Sequence, residues 1–188
     1  SVLALGAAIL TLAAGAGLKV LFSNARKNLD IFGKFSDEIG ITTEKLGAYG
    51  LAARLAGTDT QTVHKALQIF SRRIGEAANN TGEGVQGFKL LGLEAKELAR
   101  LPLNEAFEIV AESITNLGTQ AEKTGAAYFL MARQGMSMVN ALELISTAAK
   151  RKELANLQKS LGGDFTRAQV KAVEEMNDAF EELQTTVG

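Results

Sequence analysis

Few side chains in this sequence are suited to chemistry, and each has a plainer structural use. His64 is the sole histidine. A metal site or a general base needs a second His, a Cys or a placed carboxylate beside it, and none is evident. Its spacing from Leu67 and Phe70 turns it away from their apolar stripe, so it reads as a surface helix residue. Glu174-Glu175 and Glu181-Glu182 look like paired carboxylates, but adjacent residues on a helix diverge in direction. They read as a solvated face. Gly82, Gly84 and Gly87 imitate a phosphate-cradling loop only loosely, since no strand precedes them and no Lys-Ser/Thr follows the last glycine. A hinge fits better. Lys150-Arg151-Lys152 stands beside Glu153 and reads as a helix C-terminus or a solvated patch rather than a DNA contact. Met131, Met136 and Met138 with Phe129 make a deformable packing surface, more core than partner site. The chain has no cysteine, which removes disulfides, thiolate nucleophiles and Cys-based zinc sites together and leaves the redox compartment open. No catalytic, metal-binding or cofactor-binding residue emerges, and an enzyme is the least favoured class.

The elements that would position these side chains are helices. Proline occurs once, at Pro102, and alternation of the strand type is nowhere sustained, so the fold class is all-α. Apolar residues make up 46% of the chain but aromatics only 6%; the apolar share is therefore largely alanine and leucine, which favour helix. Apolar stripes at three- and four-residue steps run through Phe32, Phe35 and Ile39, through Val63, Leu67, Phe70, Ile74 and Ala77, and through Phe107, Val110, Ile114 and Leu117. A fourth, Val173, Met176, Phe180, Leu183 and Val187, follows a heptad seam that could pair with a copy of itself. Thr58 with Gln61, Thr119 with Glu122 and Thr166 with Gln169 fit the capping box, and Asn104 after Pro102 fits a second kind of N-cap. Breaks fall at Gly40, Gly57, Gly82 with Gly84, Gly92, Gly118 and Gly162-Gly163. The chain is near neutral, with 20 Lys+Arg against 21 Asp+Glu, which disfavours simple coating of DNA. Its start at Ser1, without an initiator Met, points to processing or to a piece of a longer protein.

Residues 1–22 differ in kind. Val2 to Leu18 carries no charge, and a helix there would be apolar on every side. At ~1.5 Å per residue, with Lys19 snorkelling, it comes near the ~30 Å of a bilayer core. A marginal membrane span and a buried helix of a bundle or oligomer axis both fit. Ala4 and Ala8, then Ala13 and Gly17, would allow close helix approach in either setting. The chain thus divides into this apolar Ala/Gly-rich helix (1–22), a helical region (23–163) and a C-terminal amphipathic helix (164–188).

From residue 40 to about 183 the order of motifs resembles the helical region of tail tape-measure proteins of tailed phages and prophages. That family's opening "G-[IL]-[ST]-x-E-x-L" stands here as Gly40-Ile41-Thr42-Thr43-Glu44-Lys45-Leu46. It is followed by the alanine-rich Ala52-Ala53-Arg54-Leu55-Ala56-Gly57, and by Leu67-Gln68-Ile69-Phe70-Ser71-Arg72-Arg73-Ile74-Gly75-Glu76-Ala77 in the pattern "L-x-x-[FL]-S-[RK]-x-[IVL]-G-[ED]-A". The Gly-rich stretch Thr81-Gly82-Glu83-Gly84 precedes Phe88-Lys89-Leu90-Leu91-Gly92-Leu93-Glu94-Ala95-Lys96-Glu97-Leu98, then Leu101-Pro102 and a helix from Ala106 to Ile114. Where many members carry "F-G-R-S-G", this chain reads Met131-Ala132-Arg133-Gln134-Gly135, keeping the arginine and the final glycine. The run Ala172 to Phe180 is similar to the family's "A-x-x-x-x-N-D-A-[LF]" helix.

The resemblance implies a non-enzymatic structural protein without cofactors. Several copies, an axial number such as three, would lie inside the tail tube while tube subunits polymerise around them and stop near the tape's end. Implied partners are the tail tube protein, tail assembly chaperones and the tail-tip or baseplate hub proteins. Genomic DNA would be contacted at most non-specifically. The setting is the virion, with the host cytoplasm during assembly. On ejection residues 1–22 are the part suited to the host inner membrane as a conduit. Two other classes fit the same residues: a free-standing helical pore-former, and a generic coiled-coil interaction module.

Overall fold

A computed structural model describes residues 33–160. The apolar segment 1–22, Phe32, the Gly162-Gly163 break, the Thr166/Gln169 cap, the paired acids and the heptad seam of 164–188 all lie outside the described residues. Within them the chain is helical and no strand occurs.

Residues 33–39 are helical and stop at Gly40, whose φ is +69°. Then follow α1 (Thr43–Leu55), α2 (Thr60–Ala78), the short α3 (Gly84–Leu91), the single turn α4 (Ala95–Leu98), α5 (Leu103–Thr115), α6 (Gln120–Ile145) and α7 (Ala148–Ser160). The start of α6 carries both halves of the Thr119/Glu122 capping box. The Thr119 hydroxyl accepts from the Glu122 N–H at 3.2 Å, and the Glu122 carboxylate accepts from the Thr119 N–H at 2.8 Å. Two expected caps are displaced. At α2 the cap is Asp59 rather than Thr58: its carboxylate takes the Thr62 N–H at 2.7 Å, a stronger acceptor than a hydroxyl. Thr58 instead closes α1, giving its N–H to Ala53 O at 2.9 Å behind Gly57 at φ +80°, the bonding expected after a left-handed residue at a helix end. At α5 the boundary residue is Pro102 itself, and Asn104 lies one residue inside the helix.

The stripe Val63, Leu67, Phe70, Ile74 and Ala77 is buried along its whole length, as are Phe107, Val110 and Ile114 of α5. The two stripes meet through aromatic rings. Phe70 lies edge-on to Phe107 at 5.6 Å, and Phe107 is tilted against Tyr49 of α1 at 5.4 Å. Helix α6 spans this core, packing on α1, α2, α3 and α5, while α7 returns across α1. Met131 and Met138 are fully buried there and Met136 is exposed, so the methionine group divides between core and surface.

Two glycines of the expected hinge are packing positions. Only Gly82 occupies a left-handed turn, at φ +75°. Gly84 and Gly87 are buried in α3; a Cβ on Gly87 would stand 2.6 Å from Leu130 Cγ, and one on Gly84 2.8 Å from the Arg73 carbonyl oxygen. Their missing side chains let α3 lie close on α2 and α6. Among the described residues no helix is long and apolar enough to cross a membrane.

Helix α6 is broken. Ala132 has φ +54° and ψ −147°, a combination that glycine adopts freely and other residues rarely do. The chain turns there so sharply that Gly135, three residues on, lies against the Ala127 carbonyl with no room for a Cβ.

Candidate functional site

Two polar clusters interrupt the apolar interior, and both hold helices together. The first is centred on Glu108. Burial of Phe107, Val110 and Ala111 fixes the rotation of α5 and sets Glu108 at the edge of the stripe, facing α1 and α7, where its side chain is 13% exposed. One carboxylate oxygen accepts from Tyr49 Oη at 2.7 Å and from Lys45 Nζ at 2.9 Å, and the other is ion-paired with the Arg151 guanidinium, its Nε 3.1 Å away. Lys45 and Tyr49 stand four residues apart on α1 and so share a face. The Arg151 guanidinium also donates to the carbonyls of Ile145 at 2.8 Å and Ser146 at 3.0 Å, satisfying acceptors left over at the end of α6. Burial, and next the hydrogen bond to Glu108, push the Tyr49 hydroxyl far above its ordinary pKa, so it remains a proton donor.

A cleft of ≈ 420 Å³ opens beside this cluster, between α1, α5 and α7. Its charged lining is Glu44 and Glu108 against Lys45, Arg151, Lys152 and Lys159. Glu108 is an anion bonded by Lys45 and Tyr49 of α1 and paired with Arg151 of α7. That arrangement suits a lock better than a general base, which must have a free lone pair aimed at a proton it can take.

The second cluster is centred on Arg73. It lies on the buried face of α2, 6% exposed, one turn from Phe70 and one from Ala77. Its guanidinium donates to the carbonyls of Tyr128 at 2.6 Å and Phe129 at 2.9 Å and closes on the Glu83 carboxylate. Those carbonyls belong to the last turn of α6 before the break at Ala132, a turn whose carbonyls look for donors beyond it. A buried guanidinium is costly unless fully engaged, and here one nitrogen serves α6 while another serves the turn before α3.

His64 departs from the surface position its spacing implies. The helix at 33–39 lies over that side of α2, and the imidazole stacks on Phe35 with ring centres 4.4 Å apart. This burial lowers its pKa. Lys150-Arg151-Lys152 likewise falls in the first turns of α7 rather than at a helix C-terminus. Arg151 points inward, and Lys150 lies 3.7 Å from Glu143. Among the described residues no three His, Asp or Glu side chains converge as metal ligands would.

Sequence reasoning missed Glu108, Tyr49, Lys45 and Arg73 as a group. A signal existed for Arg73, a base falling in register with Ala66, Phe70 and Ala77. None existed for Glu108, whose partners are 59 and 63 residues before it in the chain. No family model, curated protein or solved structure matches this chain.

Proposed function

We propose that this chain is a helical segment of a tail tape-measure protein of a tailed phage or prophage, a structural component that sets tail length by templating tube assembly and leaves with the DNA. The observation that carries the reading is the ordered series of motifs from Gly40 to Ile114, each of which falls on a helix or on the turn that should follow it. A detail from the structure supports it. The one pattern from which this sequence departs, "F-G-R-S-G", has its first glycine where this chain has Ala132, and Ala132 is the residue at φ +54°. Glycine is the residue such a backbone favours. In this reading the tail tube protein, the assembly chaperones and the tail-tip or baseplate hub are the partners. Several copies associate on the tail axis, with three the expected number, and residues 1–22 supply the contact with the host inner membrane.

The test is an in-frame deletion of residues 41–159 from the parent reading frame, with tails measured by electron microscopy. As continuous helix those residues span about 180 Å at ~1.5 Å each. As a compact bundle they have a radius of gyration near 13.5 Å by the usual size scaling, a diameter of roughly 35 Å. Shortening within that window supports the ruler, and its size gives the conformation inside the tube. Deletion particles of parental length would refute it, which is also what a pore-former or a generic interaction module predicts.

A further inference from the structure

We propose that the break at Ala132 is a conformational switch: α6 is a helix held bent by Arg73, and loss of that grip lets it straighten into one continuous rod. Neither proline nor glycine stands at the apex of the bend. Gln120 to Met131 and Arg133 to Ile145 are rich in Ala, Leu, Met, Gln and Glu, residues that favour helix. Local preference therefore opposes the break, and the packing around it must impose it.

Arg73 is placed to impose it. In an unbroken α-helix the Tyr128 and Phe129 carbonyls would take the N–H groups of Ala132 and Arg133, one turn on. The Arg73 guanidinium occupies those same two acceptors, at 2.6 and 2.9 Å. In the bent form it gives both carbonyls a donor that does not depend on the ladder continuing past Ala132. Gly135 is the second condition: against the Ala127 carbonyl only hydrogen fits, a restriction that a straight helix would not impose at this position. The far end of the latch is accessible, because Arg73 is buried while its partner Glu83 is 61% exposed. Anything that engages the Glu83 carboxylate draws on the group that holds the bend. Straightened, the 26 residues of α6 form a rod of about 39 Å, reaching beyond the bundle that now encloses them.

The full chain is suited to a distance measurement, because it has no cysteine and both Ala121 and Asn140 are exposed. With Ala121→Cys and Asn140→Cys carrying spin labels, a straight α6 places the two backbone positions about 28 Å apart at ~1.5 Å per residue. In the bent form the arms are roughly 16 and 12 Å. A bend of about a right angle between them would give about 20 Å, and a sharper one less. The unmodified background is expected to show the short distance. Arg73→Met should move the main population outward by about 8 Å with helical circular dichroism retained, and adding Ala132→Gly, which favours the bend, should return it. Gly135→Leu, which bars the bent packing and leaves Arg73 in place, should give the long distance independently. A short distance in Arg73→Met or Gly135→Leu with the fold intact overturns the proposal. So does loss of helix in both variants without a long-distance population.

Discussion

Exchanging the two small residues of α6 that stand in each other's ideal places should stabilise the protein. Ala132 sits at φ +54° and ψ −147°, where an alanine carries roughly 1–3 kcal/mol of backbone strain. Ala132→Gly removes it at the expense of about 0.4–1 kcal/mol of added freedom in the unfolded chain. The net gain is about 0.5–2 kcal/mol. Gly125, one turn before Phe129, is in the opposite position: it is helical, and a Cβ built on it meets nothing within 4 Å. Gly125→Ala should therefore add about 0.5–1 kcal/mol through ordinary helix preference. The double exchange leaves composition unchanged, so the unfolded-state contributions largely cancel and the folded-state strain is read almost alone. For a chain of this size the pair should raise Tm by several degrees and move the urea midpoint upward with m unchanged. The reasoning is refuted if Ala132→Gly destabilises by about 1 kcal/mol, the ordinary effect of glycine inside a helix, since Ala132 would then be helical.

Thr119→Ala removes half of the α6 capping box and should lower stability by about 1 kcal/mol in urea unfolding, with little change at Thr58→Ala, whose hydroxyl caps nothing here. Glu108→Ala leaves the buried Tyr49 hydroxyl without its acceptor and the Arg151 guanidinium without its counter-ion and should cost about 2–3 kcal/mol, against about 1 kcal/mol for Tyr49→Phe; equal effects would show that Glu108 is not the hub. Asp59 and His64 should both make stability fall in acid. The Thr62 N–H holds the Asp59 carboxyl below its ordinary range, so its contribution is present above the unfolded pKa near 4 and is lost as pH drops through the lower folded value. Burial keeps His64 neutral, so stability is highest above the ordinary histidine pKa of about 6.5 and declines as pH falls toward the folded one. Thermal unfolding across pH should show Asp59→Asn flattening the first slope and His64→Leu the second.

The apolar stripes of α2 and α5, most breaks and one of the two capping boxes among the described residues were legible because they are local: a helical period, a left-handed glycine and a Thr-x-x-Glu each work within a turn or two. Thr58 illustrates the limit even there, since two helix boundaries compete for it and the stronger acceptor next door, Asp59, takes the cap. What was not legible depends on long-range approach. Arg151 reads as part of a basic run until α7 folds over α1 and turns it toward Glu108. His64 reads as exposed until the helix at 33–39 covers it. Gly84 and Gly87 read as flexible because a sequence cannot show that Leu130 and the Arg73 carbonyl lie against them. The break at Ala132 was invisible for a stronger reason: alanine is the last residue that local preference would put there, and only Arg73, 59 residues earlier in the chain, makes the broken ladder tolerable.

A compact bundle and a ruler make opposite demands on the same helices, and the buried side chains decide how the two can coexist. Each fully buried Leu, Ile or Phe contributes about 1.5–3 kcal/mol relative to exposure, and Leu67, Phe70, Phe107, Ile114, Leu130, Leu142 and Ile145 are all fully buried. Those seven alone match the whole net stability of a typical domain, about 5–15 kcal/mol. An isolated copy therefore cannot extend in water: its capped helices would survive as local units, but their apolar stripes would have no partner. Extension becomes affordable only if the same stripes are rehoused on neighbouring copies, helix against helix, as in a coiled coil. The tape reading thus requires oligomerisation at the moment of extension. A purified single copy with Arg73 in place should remain a bundle, and in the tape reading extension of the whole segment accompanies association of copies.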